Sequence, residues 1–182
     1  KSYLETWYQE HLSSYTDYIA DSGFCNDRSL STRNNNGDGV NTDKITYYSA
    51  YDRYYSNYNP TLICPDATND LFTVTNELGN QASTSPIGLI TIDELMYAGY
   101  RKDYINKLAY PFSGSNYWTM SPGIFNSGDA TAGEFNLNSG GLAYGSWVAG
   151  SNGVRPVINL NSDVQISGGI GTKSEPFIVK TI

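Results

Sequence analysis

The sequence is short of the residues that most enzyme sites use. His11 is the only histidine, and Cys25 and Cys64 are the only cysteines among 182 residues. A Ser–His–Asp site is excluded, because the only histidine has no nucleophile pattern beside it. The common zinc sites are excluded as well, because they need CxxC pairs and neither cysteine belongs to one. We predict that Cys25 and Cys64 form a disulfide that closes a long loop, which requires an oxidising compartment. Two free buried thiols are the alternative.

Charge is scarce as well. Charged residues make up 16% of the chain, and their balance is acidic, with a net charge of −7 and a pI near 4.5. An acidic chain repels phosphate, so we expect neither a nucleic-acid partner nor an anionic membrane surface. No signal peptide or apolar run of membrane-spanning length is present. The chain begins at Lys1 without Met, which indicates that an N-terminal piece was removed or is not included.

Sixteen tyrosines and many Asn, Ser, Thr and Gly residues take the place of the missing charges. Tyrosine offers a wide contact area with a polar tip and little side-chain entropy to lose, which is typical of binding loops. The glycines fit neither GxGxxG after a strand nor GxxxxGK[ST], so no nucleotide or other cofactor is expected. This composition favours an extracellular surface protein.

Two helices are predicted. The first covers residues 2–21: Ser2 and Glu5 match a capping box, and its apolar face repeats at Leu4, Trp7, His11, Tyr15 and Ile19. The second follows a buried strand at 86–90, is capped by Thr91 with Glu94, and ends at Gly99. Asp93 and Glu94 complement the dipole of this helix, and the sequence shows no facing partner for catalysis.

The segment between the two helices is predicted to be loop-rich. In the loop 24–43, Asn34, Asn36, Asp38 and Gly39 resemble a calcium-binding loop, but Ile45 occupies the twelfth place, where a bidentate glutamate belongs. A polar surface loop is therefore favoured, and no metal site is predicted. A run of tyrosines follows and predicts a short helix packed on the core; its common face holds Tyr47, Tyr51, Tyr54 and Tyr58.

Short strands make up the rest of the chain. They are predicted at 62–64, 71–75, 86–90, 117–120, 134–138, 142–148, 152–160 and 175–179, with a glycine turn at 168–171. The segment 152–160 has the pattern of a buried strand, in which Pro156, without an N–H, faces an edge or a bulge. Arg155 interrupts its apolar run, so its side chain either points outward or is buried with its donors held by backbone carbonyls or a carboxylate.

Several landmarks together resemble a known domain. They are Gly23-Phe-Cys-Asn-Asp-Arg28, Tyr51-Asp-Arg53, Ile63-Cys-Pro65, Pro86-Ile-Gly-Leu-Ile-Thr-Ile-Asp-Glu94, Tyr117-Trp-Thr-Met-Ser-Pro122, Gly153-Val-Arg-Pro-Val-Ile-Asn-Leu160 and Ser167-Gly-Gly-Ile-Gly-Thr172 with Pro176-Phe177. The last third resembles a C-type-lectin-like fold, as in formylglycine-generating-enzyme-like domains and the variable proteins of diversity-generating retroelements. The whole chain is similar to a domain common in surface and secreted proteins of Firmicutes.

The resemblance implies one α+β domain over residues 1–182, with two helices flanking a small twisted antiparallel sheet and long loops. It also implies a binding surface at 116–152, diversified if the chain is a retroelement variable protein. The ligand-binding residues predicted there are Asn116, Tyr117, Phe125, Asn126, Asp129, Asn136, Asn138, Tyr144, Trp147 and Asn152. Trp118 is expected in the core and Trp147 on the surface.

The chain also departs from these relatives. It lacks the Glu-Pro-Asn, Gln-Pro-Asp and Trp-Asn-Asp motifs of calcium-dependent lectins, and the C-terminal cysteine pair of formylglycine-generating enzymes. We therefore predict a non-enzymatic module on the surface of a Gram-positive bacterium that recognises a protein or glycan on another cell or host surface. The alternatives are a structural subunit of a pilus-like or wall-anchored assembly, whose stalk the first helix would continue, and a hydrolase using two carboxylates about 5–10 Å apart.

Overall fold

The computed structural model describes residues 1–40, 43–129, 131–172 and 174–180. Mixed α+β architecture is confirmed. The helices are α1 (Ser2–His11), α2 (Ser49–Asp52), α3 (Ala67–Asp70) and α4 (Ile92–Tyr97), with a 3₁₀ segment at Ser13–Tyr18 and a π-helix at Arg53–Asn57. The strands are β1 (Ile19–Ala20), β2 (Phe24–Cys25), β3 (Ile45–Tyr47), β4 (Leu71–Phe72), β5 (Tyr117–Asn126), β6 (Thr131–Leu137), β7 (Ala143–Trp147), β8 (Asn159–Leu160), β9 (Ile166–Gly168) and β10 (Ile178–Val179).

A small antiparallel sheet with the order β3-β5-β6-β7 is the largest sheet in the described residues. Its register shifts between Trp118 and Pro122 and again between Pro122 and Ile124, where the pairing of β5 with β6 is irregular. Such irregularities increase the local twist of a sheet. Three two-stranded pairs, β1-β8, β2-β4 and β9-β10, surround this sheet.

The main core lies between this sheet and the helices α2 and α4. Its buried residues are Ala50, Tyr54, Ile92, Leu95, Tyr100, Tyr117, Phe135, Leu137 and Ala143. Tyr54 is fully buried, and its hydroxyl donates to the Ala143 carbonyl at 2.7 Å, which satisfies the one polar atom that the ring carries into the core. The predicted packing of the tyrosine-rich segment on the core is confirmed through Tyr54, whereas Tyr58 ends the π-helix, exposed and with φ +50°.

The predicted first helix is too long. It ends at His11, because Leu12 leaves helical geometry at φ −124°, and the chain then runs through the 3₁₀ segment into β1. The capping box does not form: the Glu5 carboxylate instead pairs with Lys1 at 3.3 Å and accepts from the Thr84 amide at 2.7 Å. Leu4 and Tyr8 pack with Ile19 and Ile87 in a second core, whereas His11 and Tyr15 are exposed.

The second helix, α4, forms as predicted. Thr91 caps it by accepting from the Glu94 amide at 3.1 Å, and the Glu94 carboxylate accepts from the Thr91 amide at 2.7 Å. This reciprocal pair satisfies two backbone donors that the first turn of a helix otherwise leaves open.

The segment 152–160 is not the buried strand that its composition predicts. Only Asn159 and Leu160 form strand β8, and Gly153 and Val157 make isolated bridges to Tyr117 and Gly88. The side chain of Leu160 is 43% exposed. Pro156 has no N–H to donate and breaks the run of backbone bonds, so the segment crosses the domain as a mostly irregular chain.

The other short strands also differ from the prediction. Residues 62–64 form no strand, and Leu62 and Ile63 are exposed, whereas 86–90 has only the Gly88 bridge. The predicted strands 71–75 and 175–179 shorten to β4 and β10, and β9 and β10 form a hairpin across the predicted turn at 168–171.

The disulfide between Cys25 and Cys64 is present, and no free cysteine remains. It joins residues 39 apart in sequence across a Cα–Cα distance of 5.6 Å, within the usual range for a disulfide. One end lies in β2 and the other in the exposed segment 62–64, which the bond therefore holds against the domain. A disulfide of this kind indicates an oxidising environment.

Candidate functional site

A row of side chains crosses all four strands of the main sheet on one face. Tyr47 of β3 is opposite Ile124 of β5, Ile124 is opposite Gly133 of β6, and Gly133 is opposite Trp147 of β7. Directly opposed residues in an antiparallel sheet point to the same side. The row therefore places an aromatic residue at each end of the sheet, with an aliphatic residue and a glycine between them.

Of the two glycines on this face, Gly133 is covered by its neighbours and Gly145 leaves room above the sheet. A Cβ atom at Gly133 would lie 2.9 Å from Ile124 Cγ1 and 3.6 Å from Trp147 Cε3, so both neighbouring side chains lean over this position. Gly145 precedes Trp147 by two residues in β7 and so points to the same face. A Cβ atom there would meet nothing within 4 Å. The indole of Trp147 is 47% exposed beside this open space.

Three tyrosines continue the face from β3 onto the helical segment. The ring centroids of Tyr47 and Tyr51 are 4.8 Å apart, and those of Tyr51 and Tyr55 are 4.5 Å apart. The Tyr55 ring lies against Phe135 of the core at 5.8 Å, and its hydroxyl accepts from the Gly145 amide at 3.2 Å. This stack links the edge of the sheet to the core and fixes the orientation of each ring.

A cation covers the outer end of the stack. The guanidinium carbon of Arg33 lies 3.9 Å from the Tyr47 ring centroid and 4.9 Å from that of Tyr51. Arg33 also pairs with the Asp52 carboxylate and donates to the Ser31 hydroxyl, so its position is fixed by an ion pair. Burial raises the pKa of the Tyr51 and Tyr55 hydroxyls, which therefore stay protonated as donors.

We call this surface the aromatic face; it consists of Tyr47, Tyr51, Tyr55, Ile124 and Trp147 over Gly133 and Gly145. Its rings are partly exposed, and its hydroxyls can donate or accept. Rigid aromatic residues with polar tips, next to an open position such as Gly145, are suited to binding a ligand with both apolar and hydroxyl-bearing surfaces. The tyrosine pattern alone indicated packing, because the row that Tyr47 shares with Trp147 depends on pairing between distant strands.

The predicted ligand-binding residues divide among three places. Trp147 lies on the aromatic face, as expected for an exposed residue. Asn126 and Asp129 lie where β5 leads towards β6, and the Asn126 amide donates to the Asp129 carboxylate at 2.7 Å. Ala130 in the same connection lies outside the described residues. Phe125 and Tyr144 alternate with Ile124 and Gly145, and so point to the opposite face of the sheet.

The remaining predicted residues lie towards the other end of the sheet or inside it. Asn138 holds a turn by accepting from the amides of Gly140 and Leu142, each at 2.9 Å, and exposed Asn116 accepts from Ser139 at 2.8 Å. Asn152, half-buried, precedes the bridge residue Gly153. Two residues do not reach the surface. Tyr117 is 3% exposed with its hydroxyl bonded to the Pro111 carbonyl, and Asn136 is 1% exposed, so we omit both from the binding surface as a correction.

The opposite face of the sheet carries an isolated carboxyl group. Glu134 borders a cavity of about 260 Å³ whose walls include Leu4, Phe72 and Met120. The half-buried Trp118, predicted in the core, lines the same cavity. Burial raises the pKa of the Glu134 carboxyl to about 7. No local pattern in the sequence indicates this, because the surroundings of Glu134 come from segments far apart in the chain.

A buried ion network lies under the disulfide. The Arg53 guanidinium donates to the Asp93 carboxylate at 2.6 and 2.8 Å and lies 2.9 Å from the Asp27 carboxylate. The structure thus gives Asp93 an ion-pair partner that the sequence does not show, because Arg53 comes from a segment 40 residues earlier. These residues and Glu94 line a cavity of about 240 Å³.

The same network accounts for the cleft carboxylates that the hydrolase alternative required. Asp93 also accepts from the Thr61 amide at 3.1 Å, and Asp27 accepts from the Ser29 amide at 3.0 Å. Glu94 is occupied with capping α4. Each of these carboxylates is thus held by a guanidinium, by a backbone amide or in a helix cap.

The loop that resembles a calcium site is held by protein contacts. The Asn36 amide donates to the carbonyls of Ser31 and Tyr47 and accepts from the Tyr47 amide at 2.7 Å. Asn41 and Thr42 of this loop lie outside the described residues. The described part of the chain brings together no group of three or more metal-ligating side chains. None of its helices has the length and apolar composition needed to span a membrane.

Comparison of the chain with family models, with curated proteins and with solved structures gave no match. The arrangement of side chains described above therefore carries the functional argument.

Proposed function

We propose that this chain is a non-enzymatic, extracellular glycan-binding module that holds its ligand on the aromatic face. The observation that supports this is the row from Tyr47 to Trp147, in which two aromatic residues flank Ile124 and Gly133, with the open position of Gly145 next to Trp147. A half-exposed tryptophan beside open space offers a large apolar area to a partner at little entropic cost.

A glycan fits this surface because a sugar ring has two kinds of surface. Its C–H groups lie flat on an aromatic ring, while its hydroxyls, at the ring edge, bond to neighbouring polar groups. The indole of Trp147 provides the flat surface for one sugar ring, and the tyrosines at the other end of the face, with the Arg33 guanidinium over the Tyr47 and Tyr51 rings, provide polar groups for further sugars. A protein ligand would favour a wider apolar patch, and it is the second outcome of the test below.

The proposal extends to fold type and location. A small irregular antiparallel sheet with a disulfide supports the C-type-lectin-like fold that the sequence landmarks imply, and the Firmicutes resemblance supports the surface of a Gram-positive bacterium.

Binding on the aromatic face uses no metal ligand, so we expect it to persist in a chelator. If the chain is a diversified variable protein, natural variation should concentrate at exposed positions of 116–152, including Trp147, and spare buried Tyr117 and Asn136.

The test is binding to a panel of immobilised polysaccharides and host mucin glycans, with de-glycosylated mucin as the protein ligand. Trp147→Ala should abolish glycan binding, and Tyr3→Ala is the matched control, because Tyr3 is an exposed aromatic residue on α1. Equal binding to mucin with and without its glycans would contradict the proposal, and so would unchanged glycan binding by Trp147→Ala. Self-association without glycan binding would instead favour a structural subunit of a surface assembly.

A further inference from the structure

Arg155 is fixed in the segment 152–160 by backbone carbonyls and rings. Its guanidinium donates to the Pro111 carbonyl and, at 3.3 Å, to the Tyr110 carbonyl. The guanidinium carbon lies 5.4 Å from the Tyr110 ring centroid and 5.6 Å from that of Tyr117. Of the two arrangements that the sequence left open, the one in which carbonyls hold the donors is confirmed. These bonds use two of the five N–H donors of a guanidinium.

Arg155 differs from the other well-placed arginines in its lack of a carboxylate. Arg28 pairs with Asp70, Arg33 with Asp52, and Arg53 with both Asp27 and Asp93. Among the ion pairs of the described residues, none involves Arg155. In a chain with a net charge of −7, a fixed guanidinium without an acidic partner is an unusual feature. Its remaining donors can receive an external anion.

The space beside Arg155 is large enough for a small molecule. Arg155, Tyr110 and Tyr117 line two cavities, of about 530 Å³ and about 320 Å³. The larger is also lined by Phe112, Ser113, Ser115, Asn116, Gly153, Val154 and Pro176. The smaller has mostly apolar walls that include Ile90, Pro156, Val157 and Ile158. The two cavities thus combine one cation, Arg155, with aromatic and aliphatic walls and with hydroxyl and amide groups at the rim.

We propose that these cavities form a binding site for a small organic carboxylate whose body is a ring or another compact apolar group. A guanidinium binds a carboxylate through two parallel N–H bonds, and the planar geometry of both groups gives the contact its direction. The aromatic and aliphatic walls accept the body of the ligand, and Ser113, Ser115 and Asn116 bond to its polar substituents. The acidic charge of the whole chain disfavours polyanions, so a single carboxylate is the preferred anion.

This site is distinct from the aromatic face. It lies at Tyr117, where β5 begins, whereas the aromatic face crosses β5 at Ile124. Seven residues of an extended strand separate the two positions by roughly 20 Å. The two sites therefore make independent predictions, and Trp147→Ala should leave carboxylate binding unchanged.

The test is calorimetric titration of the Trp147→Ala variant, in which sugar binding on the aromatic face does not contribute, with two acids and their neutral counterparts: benzoate with benzamide, and glucuronate with glucose. The site predicts that an acid binds and that its neutral counterpart binds at least about tenfold more weakly. Tighter binding of benzoate than of glucuronate would indicate a ligand with an aromatic ring, and the reverse order would indicate a sugar acid. A neutral compound that binds as tightly as its acid, or the absence of binding by both acids, would overturn the proposal.

The variants separate binding from folding. Arg155→Lys keeps the charge but loses the paired donors, and should weaken acid binding about tenfold. Because Arg155 also holds the carbonyls of Tyr110 and Pro111, a second variant is needed. Asn116→Asp is nearly isosteric, keeps the acceptor for the Ser139 amide and places a negative charge in the larger cavity. It should also weaken acid binding about tenfold without changing the melting temperature, and unchanged acid affinity in Asn116→Asp would contradict the site.

Discussion

Gly133 lies directly opposite Trp147 in the pairing of β6 with β7, and the side chain of Ile124 occupies space that a side chain at Gly133 would need. A Cβ atom at Gly133 would be 3.6 Å from Trp147 Cε3 and 2.9 Å from Ile124 Cγ1. A distance below 3.0 Å forces a neighbour to move. The shape of the aromatic face therefore depends on a glycine at this position of the sheet.

Replacing this glycine should disturb the face and the fold together. Gly133→Ala is expected to displace Ile124 and to reduce the free energy of unfolding by about 1–2 kcal/mol, as overpacking does elsewhere. Gly145→Ala is the matched control, because its Cβ meets nothing within 4 Å. Chemical denaturation of both variants measures the difference. Equal stability of the two would show that the sheet accepts a side chain at Gly133 without adjustment.

A long side chain at Gly145 should block ligand binding without destabilising the fold. Gly145→Gln adds a polar side chain that extends from β7 into open space beside Trp147, and glycine is a poor strand former, so stability should stay within about 0.5 kcal/mol of wild type. Glycan affinity should fall at least about tenfold. Thermal denaturation and glycan titration of the same preparation check both parts, and unchanged affinity would place the ligand elsewhere.

Glu134 should make the protein less stable as the pH rises through the weakly acidic range. Burial raises its pKa from the usual 4.5 to about 7. The unfolded state therefore loses its proton near pH 4.5, whereas the folded state keeps it until about pH 7. Stability falls between these values, by roughly 2–3 kcal/mol once the pH exceeds 7. Glu134→Gln should be more stable than wild type at pH 8 and equally stable at pH 4.

Urea denaturation at these two pH values tests this prediction. Glu10→Gln is a suitable control, because Glu10 is exposed on α1. A stabilisation by Glu134→Gln that is the same at pH 4 and pH 8 would mean that the effect does not come from ionisation.

Loss of the disulfide should destabilise the protein. Replacing Cys25 and Cys64 together by Ser opens a loop closed over 39 residues, and the expected loss is about 2–4 kcal/mol. The exposed segment 62–64 should become more sensitive to proteolysis, because the bond holds it to β2. Denaturation with and without a reductant measures the loss in the wild type, and the double variant should not respond to the reductant.

Removing Arg53 should cost more than removing a surface arginine. Arg53→Met leaves the carboxylates of Asp27 and Asp93 buried without their cation, and the expected loss is about 3–5 kcal/mol. Arg28→Met is the matched comparison, because the Arg28 side chain is 56% exposed in its pair with Asp70. A loss near 1 kcal/mol in Arg53→Met would show that water reaches the network.

Local signals in the sequence predicted local structure well. The cap of α4 formed as expected because Thr91 and Glu94 are three residues apart and need no other part of the chain. The same pattern failed at Ser2 and Glu5, because the tertiary contact of Glu5 with Thr84 replaced the cap. The half-buried segment at 152–160 was misassigned because its apolar composition could not show that Pro156 and irregular pairing would interrupt it.

Long-range relationships were beyond the reach of a single sequence. The pairing of Arg53 with Asp93 spans 40 residues, and the bond between Gly145 and Tyr55 spans 90. The tyrosine pattern predicted a helix packed on the core but not that its partly exposed rings would continue to the sheet face that carries Trp147. The disulfide was an exception, because with only two cysteines there is a single intramolecular pairing to consider.

The proposed function depends most directly on whether Trp147 contacts the ligand. The decisive measurement is a titration of wild type, Trp147→Ala and Tyr3→Ala with the tightest-binding glycan of the panel, followed by calorimetry. The account predicts that Trp147→Ala weakens binding at least about tenfold, as loss of an aromatic anchor does, while Tyr3→Ala binds like wild type. Equal affinity of all three proteins would contradict a ligand site on the aromatic face.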